Sequence, residues 1–266
     1  MKLAKVFKEN KQFTLFSILA LVVVGVAVFA PQIAPYDPLD AVMLESLQAP
    51  SSAHPFGTDK LGRDLLSRVI FGTRTSLIMT LCLVAVIFVI GTFLGVIAGY
   101  FGGIVDGVIM RIADMMISFA GMLGPNLVNA VISIAAVSWT KYARLARSMV
   151  LRVKKNLYIE AAVVNGTRTW KILLVHVLPN MVTQMVVTAA ADIGTMMLEL
   201  ASLSFLGFGA TAPTPEWGLL LSNGRNYMAS AMYVTIFPGL AIFLTVLSFN
   251  LLGDGLRDAL DPKLSD

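Results

Sequence analysis

Two carboxylates, Asp192 and Glu199, interrupt an otherwise apolar stretch at 182–206. Seven residues apart, they share one helix face. Carboxylates inside a membrane span face a bundle interior or a water-filled path. Two readings stay open: the face lines a transport pathway and draws a cationic or metal-chelate substrate, or Asp192 pairs with a neighbouring helix while Glu199 sits near an external end. Arg111 and Asp114, three apart, are spaced to pair with each other along one helix. Cys82, His54 and His176 are too few and too scattered for a Cys/His metal centre, so no metal ligand is assigned. The 14 methionines include the adjacent pairs Met115-Met116 and Met196-Met197, which point in different helical directions and suit packing better than metal binding. The chain has no Gly-x4-Gly-Lys-Ser/Thr phosphate loop, no Gly-x-Ser-x-Gly and no His-Glu-x-x-His. No catalytic residue is assigned, and any nucleotide hydrolysis must come from another subunit.

Residues of this kind need membrane helices to hold them. Apolar residues make up 57% of the chain and charged residues 14%, against roughly 45–50% and 25% in a soluble domain. A bilayer covers apolar faces that no core of a 266-residue protein could bury. The net charge of +4 fits a positive-inside bias rather than nucleic-acid binding. The run 13–30 exceeds the apolar region of a signal peptide, and Pro31 follows the best cleavage point at Ala30. It is read as an uncleaved first span behind a lysine-rich tail. Further spans are expected at 77–100, in a divided region 105–137, at 182–206 and at 234–252. Gly91, Gly95, Ala98 and Gly99 suit close helix packing.

Lysine and arginine crowd 1–11, 140–178 and 257–263, placing both termini and the 140–178 segment on the cytoplasmic side. That requires about six crossings, with 105–137 crossing twice around Gly124-Pro125-Asn126. At about 33 residues the region is short of the roughly 40 needed. The expected divisions are a tail and first span at 1–34, an external segment at 35–76, a core transmembrane domain at 77–256 and a cytoplasmic tail at 257–266.

The segment 160–179 reads Glu160-Ala161-Ala162, three residues, Gly166, nine residues, His176-Val177-Leu178-Pro179. Two short helices, 156–164 and 169–175, are expected around Gly166, which supplies a positive-φ helix stop. Pro179 marks the start of the next element. Such a pair makes a knob that another protein can hold.

This spacing resembles the Glu-Ala-Ala-x3-Gly motif of binding-protein-dependent ABC importer permeases. The resemblance covers nearly the whole chain. Pro55-Phe56-Gly57-Thr58-Asp59, then Gly62-Arg63-Asp64, looks like the external segment of the C-type subunit in the dipeptide, oligopeptide and nickel branch. Read from the residues alone, it is a Gly/Asp-rich turn capping a helix with ion pairs. The stretch from Glu199 to Gly209, with Pro213-Thr214-Pro215-Glu216-Trp217-Gly218, and the C-terminal stretch from Phe249 to Pro262 resemble the same branch. The run 192–218 looks closest to nickel-type permeases, with dipeptide and oligopeptide permeases as the alternative.

The resemblance implies an all-α membrane protein of the type I ABC importer permease fold, with a cytoplasmic coupling-helix loop at 140–179. It implies that Glu160, Ala161, Ala162, Gly166, Leu178 and Pro179 dock on an ATPase. It implies a second permease subunit, two ATP-binding subunits carrying ATP and Mg, an extracytoplasmic binding protein and a location in the bacterial inner membrane. An ion-coupled secondary transporter using Asp192 and Glu199 is the alternative of another class. One departure from the family pattern stands out: Phe119-Ala120-Gly121-Met122 runs straight into Leu123-Gly124-Pro125, where members carry about a dozen more apolar residues.

Overall fold

The computed structural model describes residues 11–116 and 126–260. The regular elements among them are helical, beside one isolated bridge between Thr58 and Asp64. Helix α1 (Lys11–Val28) and the short α2 (Ala30–Ile33), with Pro31 in its first turn, lead to an irregular segment holding a 3-10 turn at Met43–Glu45. Then come α3 (Leu65–Phe101), α4 (Gly103–Met116), α5 (Leu127–Val153), α6 (Leu157–Val164), α7 (Thr169–Phe205), α8 (Trp217–Gly224) and α9 (Tyr233–Leu260).

Helices α3, α7 and α9 are long and apolar enough to cross a membrane; 37 residues in α3 and in α7 give about 55 Å each. The apolar part of α1, Gln12–Val28, is shorter. α3 begins three turns ahead of the expected boundary at 77, so the last part of the segment 35–76 is already helical. Asp64 starts it, its carboxylate accepting the Ser67 N–H at 2.7 Å.

The divided region departs most from expectation. The helix that holds its second half does not end near 137: α5 runs to Val153, 27 residues or about 40 Å, and carries Lys141, Arg144 and Arg147 with it. The basic residues that mark 140–153 as a loop are therefore on the open side of a helix. Their charges are met there: Lys141 by Asp192, Arg144 by Asp114 at 2.7 Å and Arg147 by Asp106. Asp114 thus pairs across to α5 rather than with Arg111 on its own helix. The Asp106–Arg147 and Asp114–Arg144 contacts also set α4 and α5 antiparallel, as a hairpin requires. The junction at Phe119–Pro125, where the sequence departs from the family pattern, lies outside the described residues.

Helix α5 packs parallel to α3 along a glycine seam. A Cβ on Gly91 would lie 2.5 Å from the Trp139 carbonyl oxygen, and one on Gly99 2.9 Å from that of Arg147. Gly95, between them, meets Ala143 and Ala146 just as closely. Without a hydrophobic drive between spans, such backbone contact is what holds helices together. α9 crosses α7 antiparallel, with Gly194 against Asn250 and Gly253 against Ala191. Phe13 at the start of α1 lies against Gly255 near the end of α9. Both ends of the described chain therefore share one end of the bundle with α6, while segment 34–64 and α8 occupy the other.

Candidate functional site

At mid-bundle, α5 presents Lys141 and Tyr142 to Asp192 on α7. The Lys141 ammonium donates to both carboxylate oxygens, at 2.7 and 2.9 Å, and the Tyr142 hydroxyl donates to one of them at 2.9 Å. Asp192 is 6% exposed and Tyr142 fully buried, whereas the Lys141 side chain keeps 56% of its surface open. Gly91 makes the contact possible, because its missing side chain lets the 139–143 turn of α5 sit against α3. Asp192 is thus paired with a neighbouring helix, and its charge is met by Lys141. Glu199, two turns further along α7, is exposed and makes no ion pair among the described residues. Beside it, Leu198, Ser202, Phe205, Leu221 and Ile242 line an apolar cleft of about 310 Å³.

Lys141 and Tyr142 escape a sequence reading that places 140 onward in a loop. The signal was present: a lone aspartate inside an apolar helix calls for a cation on a facing one.

The second site is the knob at one end of the bundle. α6 ends in a Schellman motif, with Gly166 at φ +71°, its N–H on the Val163 carbonyl and the Thr167 N–H on that of Ala162, both at 3.0 Å. Ile159 is buried and anchors the helix, and Ala162 is half-buried. The Tyr158 hydroxyl accepts from Asn180 at 3.2 Å, tying the knob to α7. Opposite Ile159, Leu157, Glu160, Ala161 and Val164 fall on one outward face at helical spacing. Leu157 is 82% and Val164 86% exposed, an apolar pair with nothing of this chain over it. Gly166 faces open space, so it is kept for its backbone angle alone.

The expected second short helix does not stand apart. Thr169–Lys171 passes through a π-helical turn at Ile172–Val177 straight into the long run of α7. The wider turn suits Pro179, which has no N–H to give the preceding turn. Leu178 is half-buried and Pro179 exposed, both within α7 rather than in a linker.

At the opposite end the motif residues brace one another. Asp59 holds Arg63 at 2.7 Å and approaches Arg68 at 3.5 Å, and all three side chains are buried. Asp64 accepts from His54 at 2.9 Å if that ring nitrogen carries its proton. Gly57 and Gly62 have φ near +75°, and a Cβ on Gly62 would strike the Val42 carbonyl. Arg68 donates to the Pro38 carbonyl at 2.8 Å. Glu216, 1% exposed, caps α8 through the Gly218 and Leu219 N–H groups, while the Trp217 indole donates to the Val69 carbonyl at 3.0 Å. These groups lock the end of the bundle into one shape.

Comparison with known proteins follows the same lines. Residues 91–266 match the family described as binding-protein-dependent transport system inner membrane component. Residues 2–50 match the N-terminal transmembrane domain of oligopeptide transport permease C. The chain is 46% identical over 254 residues to a glutathione transport system permease protein of Pectobacterium atrosepticum, covering 92% of this chain and 84% of that one. It is 41% identical over 269 residues to a dipeptide transport system permease protein of Alkalihalophilus pseudofirmus, covering 98% and 88%. It is 40% identical over 271 residues to a probable D,D-dipeptide transport system permease protein of Escherichia coli K12, covering 98% and 91%. The last two alignments are longer than the 266 residues of this chain, so those relatives carry residues with no counterpart here.

Proposed function

The chain belongs to the binding-protein-dependent ABC importer permeases, multi-pass components of the inner membrane, and from that premise we propose that it forms half of a pathway for short peptides. A permease subunit is not itself an enzyme. ATP and Mg belong to two ATP-binding partner subunits, a second permease supplies the other half of the pathway, and an extracytoplasmic binding protein delivers substrate. Both termini and the α6 knob are cytoplasmic, in keeping with their shared end of the bundle. Nickel, the first expectation from the run 192–218, gives way to peptides, because relatives matching 92–98% of this chain are named for glutathione and dipeptides. Membership of this family likewise sets aside the ion-coupled secondary transporter.

The observation that carries the proposal is the outward face of α6. An apolar pair as exposed as Leu157 and Val164, on a helix locked in place by Ile159 and Tyr158, is built to be covered by a partner. Glu160 and Ala161 lie on the same face, and Gly166 fixes the turn that follows it. ATP binding draws two such knobs together and opens the pathway outward; hydrolysis resets it.

The test is affinity purification of the tagged chain from membranes of its own host, with the captured subunits identified by mass spectrometry and ATP binding. Wild type brings down an ATP-binding subunit, and Leu157→Asp with Val164→Asp releases it while leaving thermal stability unchanged. Equal recovery of the ATPase on the variant, or none on wild type, overturns the proposal.

A further inference from the structure

Lys141 lies fourteen residues after the start of α5 and twelve before its end, and Asp192 is well inside α7. The pair therefore sits near the middle of both helices, α7 being long and apolar enough to cross a membrane, yet more than half of the Lys141 side chain is open. Ammonium groups on such helices avoid acyl chains, so its open side meets water or a polar ligand. An ammonium has three donors. Asp192 takes two, and the Tyr142 hydroxyl completes that carboxylate. One donor remains for an acceptor from outside the chain. Glu199 is offset from Asp192 by seven residues on the same face, about 10 Å of helix rise, and is exposed without an ion pair among the described residues.

We propose that Lys141 and Glu199 are two charged stations on the pathway face, Lys141 receiving the terminal carboxylate of the passing peptide and Glu199 its α-ammonium. The inference rests on the short-peptide reading above. The spacing fits it: an extended tripeptide spans about 10 Å, and a dipeptide of about 7 Å is reached by the flexible lysine and glutamate stems. Asp192 then has a second task beyond structure. By neutralising most of the Lys141 charge it keeps the carboxylate site weak, as a conducting site must be if substrate is to leave it.

The experiment uses the whole complex in proteoliposomes with its binding protein. Uptake is measured for a tripeptide, its C-terminal amide and its N-acetyl form. Each variant is scored against wild type with the same peptide, which cancels the preference of the binding protein. The double variant Lys141→Met/Asp192→Asn removes both charges together and leaves no buried orphan. Its free-acid uptake falls about tenfold more than its amide uptake, the size of one charge-assisted hydrogen bond. Lys141→Arg restores the discrimination. Glu199→Gln lowers uptake of the free amine more than that of the N-acetyl form. Equal losses for acid and amide assign Lys141 to structure or to an ion pair with the second permease, and overturn the inference. So does no loss for either. Wild-type complex that takes up no peptide at all removes the short-peptide reading itself, whereas peptide uptake with equal ratios removes this inference alone.

Discussion

Replacing Gly91 by alanine adds one methyl group where α3 touches α5, and its effect can be worked out from the contact. The new Cβ lies 2.5 Å from both the Trp139 carbonyl oxygen and the Tyr142 Cβ, against ordinary contact from 3.4 Å upward. The 139–143 turn must retreat by about 1 Å, and it carries Lys141 and Tyr142. Overpacking of this kind costs about 1–3 kcal/mol, partly offset by the 0.5–1 kcal/mol or so by which a helix prefers alanine to glycine. Gly107 on α4 supplies the control, since a Cβ there meets nothing within 4 Å. Gly107→Ala gains the propensity alone, so the difference between the two variants isolates the clash. At about 3 °C per kcal/mol for a chain of this size, the variants melt about 3–9 °C apart, with Gly91→Ala lower. Thermal unfolding of the complex in nanodiscs, followed by tryptophan fluorescence to which Trp139 contributes, reads this. Equal melting temperatures would refute close backbone contact as the element that positions the site.

Further variants test the charged groups. Lys141→Met strands a buried Asp192 and costs about 3 kcal/mol, whereas Asp192→Asn leaves a half-exposed ammonium and costs about 1 kcal/mol. Thermal melts should rank the double variant above Lys141→Met alone. At the other end, burial pushes the Glu216 carboxyl above its ordinary value of 4.5, against the pull of the Gly218 and Leu219 N–H groups and the Ser204 and Ser76 hydroxyls. A raised carboxyl stays protonated in the folded chain while the unfolded chain has already ionised, so stability falls as pH rises from 4.5 through the raised value. Acidification from above that window therefore raises the melting temperature of wild type. Glu216→Gln, which keeps an acceptor for the start of α8, loses that gain.

Much of this architecture was legible before any coordinates. The small residues Gly91, Gly95 and Gly99, the Gly166 stop and the Asp64 cap are each local patterns, and each does what local rules predict, though the α5 partner of the glycines lies far along the chain. What misled was charge counting. Lys141, Arg144 and Arg147 look like loop residues until their helix and its partners are seen, and Asp192 lies 51 residues from Lys141. The same blindness paired Arg111 with Asp114, because spacing on one helix is visible in a sequence and the approach of Arg144 from another is not. Nor does charge counting show that the helix begun at Leu127 continues past 137 to Val153. The motif residues Asp59, Arg63 and Asp64 were legible as a cap with ion pairs, but not their burial, which comes from the segment folded over them.

The central claim is ATP-driven passage of short peptides through this chain and its partners. The direct measurement is uptake of a labelled dipeptide into proteoliposomes holding the full complex, with ATP on the ATPase side and loaded binding protein on the other. The expected uptake stops without ATP, persists when ion gradients are collapsed and is not displaced by nickel. Uptake driven by an ion gradient without ATP, or uptake of nickel in place of the dipeptide, would contradict it.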